Sequence, residues 1–366
     1  MTEKTPLLST VVAGRYVLVI HGGAGTMSKE GSTPAQRAEY KAALSRSLLS
    51  GYDVLSHGGE AMDAVVAAVK IMEDCPLFNS AHGAVFNVEG KIELETSLML
   101  SKPPPHIPAT RRGLGLTLLT RAKNPSSLVR ALYLQPDLAP HTFLSGATAE
   151  NIGASLGETL VDPSYFFTER RWREHRRGIG LPEEPLPQHD SYDVKKVDTA
   201  TLDELPTGTV GAVALDVNGC IAVLTSTGGK TNKLVGRVGD TPVMGSGFWA
   251  EEWSEMGWVT RIVNSLSGRS NQKALGISGT GDGDYFIRHA TASTIARRVQ
   301  YLGESLEQAA SHAVQDLYKG GGLGGVICLD SEGNVALPLN CSGMYRGVIR
   351  EDGVPRTAIF SDEVLS

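Results

Sequence analysis

The chain has 366 residues, too many for a minimal domain and suited to one large α/β or α+β unit or two smaller ones. Its hydrophobic content of 41% supplies a core, and a net charge of −6 argues against non-specific nucleic-acid binding. No apolar run approaches the ~20 residues of a membrane span. Met1 to Arg15 shows neither a basic start nor a continuous apolar stretch, so no secretory signal is expected. The four cysteines, Cys75, Cys220, Cys328 and Cys341, have no CxxC spacing. Free thiols in a reducing, cytoplasmic setting are expected, without a zinc site or disulfide framework.

Tyr16 to Ile20 is a β-branched run that reads as a buried strand ending in the tight turn His21-Gly22-Gly23-Ala24-Gly25. Residues 34–56 have apolar positions at helical spacing behind the start signal Ser32-Thr33-Pro34. Glu60 to Met72, rich in Ala and Val, predicts a second helix. Gly83–Asn87 and Lys91–Glu95 predict a hairpin across Val88-Glu89-Gly90. Helices are expected at Thr117–Ala122, Ser126–Leu134 and Ala147–Leu156. Residues 160–206 carry Arg/Glu runs and then Leu181-Pro182-Glu183-Glu184-Pro185-Leu186-Pro187, which reads as a mobile connector. A charged surface helix followed by a loop is the competing reading for Asp162–Gly178.

Val210–Asp216 and Cys220–Thr225 predict two strands joined at Asn218-Gly219. Residues 251–273 are polar and irregular and read as an insert. Lys273–Ser278 predicts a strand, Gly279 a turn, Tyr285–Gln300 a helix and Leu306–Tyr318 a last helix. Strands at Gly325–Leu329 and Asn334–Leu337 complete the expected core. Hairpins and clustered helices point to an α+β chain with antiparallel sheets.

Gly208-Thr209 stands between the polar connector and the apolar strand at Val210. Cutting that bond would free an α-amine with a pKa of roughly 7.7–8.0 on the residue that carries the hydroxyl. A Thr hydroxyl needs such a base to act as a nucleophile. The plainer alternative is a Gly-Thr turn opening a strand. Thr225-Ser226-Thr227-Gly228-Gly229 ends the neighbouring strand, where the Thr227 hydroxyl could bond the Thr209 amine or hydroxyl; local backbone bonding is the alternative. In Gly236-Arg237-Val238-Gly239-Asp240, a guanidinium and a carboxylate three residues apart suit the two charges of an α-amino acid. A surface salt bridge would explain the same pair. Gly279-Thr280-Gly281-Asp282-Gly283-Asp284 can present backbone N–H groups and a hydroxyl to an oxyanion. As a nucleotide loop it lacks the GxGxxG spacing and a βαβ frame.

In this order and spacing, these segments resemble the plant-type asparaginase and isoaspartyl-peptidase family of N-terminal-nucleophile hydrolases. His21–Gly25, Cys75-Pro76-Leu77-Phe78-Asn79 with Gly83–Phe86, and Gly208 to Asp240 carry the resemblance. It implies a four-layer αββα sandwich, self-cleaved between Gly208 and Thr209 into pieces 1–208 and 209–366. The first piece would end in the connector at about 160–207, and the second would contain the insert at about 251–273. It implies Thr209 as nucleophile, Thr227 assisting it and Asn79 positioning it. It implies Arg237 on the substrate α-carboxylate, Asp240 on its α-ammonium, and Thr280 and Gly281 at the oxyanion. No catalytic cofactor is implied. A structural sodium ion on the backbone carbonyls of Met72, Glu73, Cys75, Phe78, Ser80 and His82 is.

The partners implied are a small-molecule or dipeptide substrate and a second cleaved protomer, with no nucleic acid and no membrane. The expected reaction is hydrolysis of asparagine or of β-aspartyl peptides. A glycosylasparaginase-like amidase, a taspase-like protease, an uncleaved amino-acid-binding protein and a nucleotide-binding protein are the alternatives. The chain departs from the family pattern at Asn79-Ser80-Ala81, at Met99-Leu100-Ser101 and at Gly281-Asp282-Gly283-Asp284.

Overall fold

A computed structural model describes residues 14–184, 186, 208–254 and 271–366. The first strand, β1 (Val17–Gly25), runs on through the glycine motif where a turn was expected, with a register shift between His21 and Gly23. Helix α1 (Pro34–Ser56) opens as its sequence predicts. The Thr33 side chain accepts from Gln36 N, and the Gln36 side chain caps Thr33 in return. Helix α2 (Ala61–Glu73) follows with Ala64, Val65, Ala68 and Val69 buried.

The hairpin expected at 83–95 is not there. Asn87 Oδ1 instead accepts from Glu89 N and Lys91 N, which closes a local turn with no ladder. The strand comes later, as β2 (Leu94–Leu100). The helix expected at 117–122 is also corrected. Gly113 to Leu119 is strand β3, where Gly115 lets the backbone of Pro242 approach closer than a Cβ would permit. Helix α3 (Pro125–Tyr133), the short strand β4 (Phe143–Ser145) and helix α4 (Gly146–Ser155) follow.

The expected connector begins later than its composition suggests. Pro163–Phe166 is a 3₁₀ turn and Glu169–Gly178 is helix α5, the reading that competed with a mobile segment. Arg171 of α5 is buried and donates to the Gly83 carbonyl at 2.9 Å. The rest of the connector, residues 185 and 187–207, lies outside the described residues.

Strands β5 (Val210–Leu215) and β6 (Ile221–Thr227) form the expected hairpin. The insert is shorter than expected at both ends, because Glu251–Ser254 belongs to β7 (Phe248–Ser254) and Gln272 and Lys273 to β8 (Gln272–Gly281). Its remainder, 255–270, lies outside the described residues. The single helix expected at 285–300 is two, α6 (Gly283–His289) and α7 (Thr291–Leu302), broken at Ala290 with φ 47°. Then come α8 (Leu306–Lys319), β9 (Gly324–Asp330), β10 (Val335–Ala336) and two unforeseen strands, β11 (Gly343–Ile349) and β12 (Arg356–Phe360).

The strands make two sheets. Among the described residues, one has eight strands in the order β12-β11-β1-β5-β6-β2-β3-β4, and the other four in the order β10-β9-β8-β7. All pairings are antiparallel except β3 with β4. The apolar runs of β1, β5 and β6 are continuous because both faces of these strands are buried. Leu18, Ile20, Ala212, Ala214 and Leu224 join a core with α1, α2 and α3. Their alternates Val17, Val19, Val213, Leu215 and Val223 pack with Phe248, Ile327 and Leu329 of the smaller sheet. The opposite side of that sheet, at Leu275, Ile277 and Val326, packs on Phe286, Ile295 and Leu317. The four cysteines are free, and among the described residues no helix is long and apolar enough to cross a membrane.

Candidate active site

Strand register brings the expected residues to one end of the large sheet. Glu95 of β2 lies opposite Thr227 of β6, Ser226 opposite Val210 of β5, and Gly211 opposite His21 of β1. Thr209 immediately precedes β5 at this end and is buried. The smaller sheet delivers Ser278, Thr280 and Gly281 from β8 to the same place.

With the Gly208–Thr209 bond intact, its amide and the carbonyls of both residues have partners. Thr209 N donates to Thr280 Oγ1 at 3.1 Å, and that oxygen also accepts from Ala24 N at 3.1 Å. Thr227 Oγ1 donates to the Gly208 carbonyl at 3.4 Å and accepts from Gly229 N at 2.9 Å. The Thr227 hydroxyl was expected on the Thr209 amine or hydroxyl; in the intact chain it reaches the carbonyl of the same bond instead. Gly208 has a packing reason of its own. A Cβ there would stand 3.0 Å from Gly23 Cα, so the glycine motif of β1 passes against the junction.

Sequence reasoning missed the group that fixes the other side of Thr209. His21 Nδ1 lies 2.7 Å from the Thr209 carbonyl, and its Nε2 lies 2.7 Å from Ser278 Oγ. A carbonyl only accepts, so Nδ1 carries the proton and Nε2 of the neutral ring accepts from Ser278. Ser278 in turn accepts from Thr225 Oγ1 at 3.1 Å. Burial lowers the His21 pKa to about 3, outweighing the opposing bond to Thr209, so the ring stays neutral. Gly211 leaves room for this relay, since a Cβ there would collide with both Ser278 Oγ and His21 Nε2. Ser278→Ala strands a buried imidazole nitrogen and is expected to cost about 1–3 kcal/mol of unfolding free energy. The urea midpoint reads this directly, and a midpoint equal to wild type would remove the relay.

Asn79 connects to the junction only through Gly229 and Thr227. Its Nδ2 donates to the Gly229 carbonyl at 2.7 Å, its Oδ1 accepts from Val85 N at 3.0 Å, and its carbonyl accepts from Gly228 N. It thereby fixes the turn that follows Thr227. Glu73, expected only as a backbone-carbonyl ligand, has a buried carboxyl that sequence reasoning did not single out; it accepts from Ser126 N, Ser126 Oγ and Ser226 Oγ at 2.7–2.9 Å. Burial outweighs these bonds and raises its pKa to about 7. It braces Ser226, the neighbour of Thr227, from the helix side.

Arg237 and Asp240 line one pocket with Thr209, Thr227, Gly281 and Glu95. The cavity they enclose is small, about 50 Å³. Asp240 is buried, and its pKa is raised to about 7 by burial first and the Glu95 charge second. Glu95, also buried, is itself raised by burial and accepts from Gly239 N at 2.9 Å. The acids of the departing loop have separate tasks. Asp282 Oδ2 accepts from Leu323 N at 3.0 Å, while Asp284 pairs with Arg237 Nη2 at 2.9 Å. Gly281 has φ 141° and stands against the Leu323 carbonyl, so only glycine fits there.

The six candidate sodium ligands lie at the end of α2 and in the loop that follows it. His82 N donates to the Glu73 carbonyl at 3.0 Å and closes it. The carbonyls of Met72 and Cys75 each accept an amide bond within the loop as well. Carbonyl oxygens with a lone pair to spare are donors of the kind a hard cation takes.

The fold is of the mixed α+β class, with a hydroxyl-rich pocket where the ends of two sheets meet. A family model described as asparaginase matches residues 14–256 and 267–359, and the chain belongs to that family. It is 36% identical to an isoaspartyl peptidase of Escherichia coli K12 over 96% of this chain and 98% of that protein. Identity to a probable isoaspartyl peptidase/L-asparaginase 2 of Arabidopsis thaliana is 31%, over 95% of this chain and 99% of the relative. Identity to an isoaspartyl peptidase/L-asparaginase of Xenopus laevis is 32%, over 92% and 93%.

Proposed function

We propose that this protein is an N-terminal-nucleophile amidohydrolase that releases aspartate from asparagine or β-aspartyl peptides after cutting itself before Thr209. The carrying observation is the Thr209 junction. Its amide, both flanking carbonyls and its neighbours Thr227 and Thr280 are held by named bonds in one buried place. The names of the relatives support the reaction. The three separate cores, helices–sheet, sheet–sheet and sheet–helices, support a four-layer αββα sandwich.

In self-cleavage, Thr209 Oγ attacks the Gly208 carbonyl carbon, with the Thr227 hydroxyl supporting the charge on its oxygen. The acyl group passes from nitrogen to oxygen, and water then cuts the ester. Gly208 leaves with a carboxylate, and Thr209 keeps a free amine. That amine takes the proton of the Thr209 hydroxyl as it attacks the side-chain carbonyl of the substrate. Arg237 grips the α-carboxylate and Asp240 the α-ammonium. Thr280 Oγ and Gly281 N–H hold the tetrahedral oxyanion, where losing one donor costs ~2.7–4 kcal/mol of barrier. Ammonia or the leaving residue departs, and water frees aspartate from the acyl-enzyme. The 72–82 loop would hold a sodium ion on its carbonyls and so stiffen the segment that carries Asn79.

Intact mass spectrometry tests the first half of the reading and aspartate release from asparagine and β-Asp-Leu the second. Two fragments meeting at Thr209, with aspartate produced, are expected. One persistent chain with no turnover would leave an amino-acid-binding protein.

A further inference from the structure

Six charged residues line the pocket: the cations Lys230 and Arg237, and the acids Glu95, Asp240, Asp282 and Asp284. Most are already engaged. Arg237 pairs with Asp284, Asp282 accepts from Leu323 N, and Glu95 accepts from Gly239 N. The nearby Lys233 is buried and donates to the Glu93 carbonyl at 2.7 Å. Lys230 differs from all of these. Its side chain is exposed, and among the described residues its ammonium has no carboxylate or carbonyl partner. The backbone nevertheless fixes where it stands. Gly229 before it has φ 80° with Lys233 packed against it, and the Lys230 carbonyl accepts from Lys233 N at 3.1 Å.

We propose that Lys230 recognises a second substrate carboxylate, the free α-carboxylate of the residue that leaves, and so directs this pocket to β-aspartyl dipeptides in preference to asparagine. The proposal rests on the reaction assigned above. Its ground is a count of charges. Asparagine brings one carboxylate and one ammonium, which Arg237 and Asp240 satisfy. A β-aspartyl dipeptide brings the same pair and one carboxylate more. A pocket lined by four acids repels that extra charge unless a cation is free to meet it. Lys230 is the lining cation not already bound to an acid among the described residues. Its flexible four-carbon stem can follow a carboxylate whose position shifts with the leaving side chain. Selection therefore falls on the charge and is tolerant of the side chain.

The test measures kcat/KM of the processed enzyme and its Lys230 variants on three substrates: β-Asp-Leu, its C-terminal amide, and asparagine. Wild type is expected to favour the acid over the amide by about tenfold, the size of one charge-assisted hydrogen bond. Lys230→Met brings that ratio close to one, Lys230→Arg restores most of it, and Lys230→Glu inverts it. The wild-type ratio is also expected to shrink as salt is added, because the side chain is exposed. An acid-to-amide ratio near one in wild type, or a ratio that Lys230→Met leaves alone, overturns the assignment of Lys230 while the reaction stands. Wild-type turnover of asparagine with neither dipeptide cleaved overturns it too. Failure on all three substrates overturns the reaction itself.

Discussion

Thr209→Ala will run as one full-length band on a denaturing gel and release no aspartate from asparagine or β-Asp-Leu. Both losses have the same origin. In the proposed scheme the hydroxyl that attacks the Gly208 carbonyl is the one that later attacks the substrate, and Ala has none. Loss of the hydroxyl and γ-methyl leaves the backbone partners in place, since Thr209 N still bonds Thr280 and the Thr209 carbonyl still bonds His21. The variant should therefore melt near wild type while losing activity by roughly 10⁴-fold or more, the range seen when a nucleophile is removed. Thr209→Ser keeps the alcohol and the future amine, so it should yield both fragments, more slowly. Two bands from the alanine variant would overturn the scheme.

Asp240→Asn should trade activity for stability. The α-ammonium of the substrate loses its charged partner, a loss of about 2–5 kcal/mol and hence roughly 30- to several-thousand-fold in kcat/KM. The stability effect has the opposite sign. Burial and the Glu95 charge raise the Asp240 pKa from 3.8 to about 7 in the folded chain. Between those values the folded chain holds a proton that the unfolded chain has lost. Stability therefore falls as pH rises through that window, and the penalty is complete above about pH 7. Asn carries no such penalty. Its melting temperature should exceed wild type at pH 8 and approach it near pH 4. Glu73 contributes a penalty of the same direction in a similar window, so the variant retains part of the slope. In wild type, kcat/KM should drop on the acid side with an apparent pKa near 7 that belongs to the Asp240–Glu95 pair. An asparagine variant less stable than wild type at pH 8 would mean that the carboxylate is paired in the empty pocket.

The placement of Thr209 and Thr227 was legible because each sits at the end of an apolar strand that the sequence announces. Val210–Asp216 and Cys220–Thr225 read as a hairpin, and a hairpin places Thr227 beside Thr209. The relay behind Thr209 was not legible. His21 and Ser278 are 257 residues apart, and nothing local marks either as the other's partner. Strand β11 was hidden by Arg346, a charge that argues against a buried strand. The guanidinium is satisfied there by the carbonyls of Met344, Ile359, Phe360 and Glu363, a solution that exists only once β12 and the chain end are in place. Strand β3 was hidden by its glycines, which read as weak strand formers until the close pass of Pro242 explains Gly115. Lys230 was passed over for a simpler reason: an exposed lysine signals nothing until its neighbours are seen to be taken.

The strand order of the larger sheet has a consequence for the life of the enzyme. Strands β1 to β4 precede the junction and β5, β6, β11 and β12 follow it, and β1 lies between β11 and β5. If Gly208 and Thr209 part as proposed, neither product carries the whole of the larger sheet, and each depends on the other for its neighbours there. Reassembly from a melted sample would then be second order in protein, competing with precipitation of exposed strands. Folding would be a single opportunity, taken before the cut, and the working lifetime of the mature form would be set by how slowly its two halves come apart.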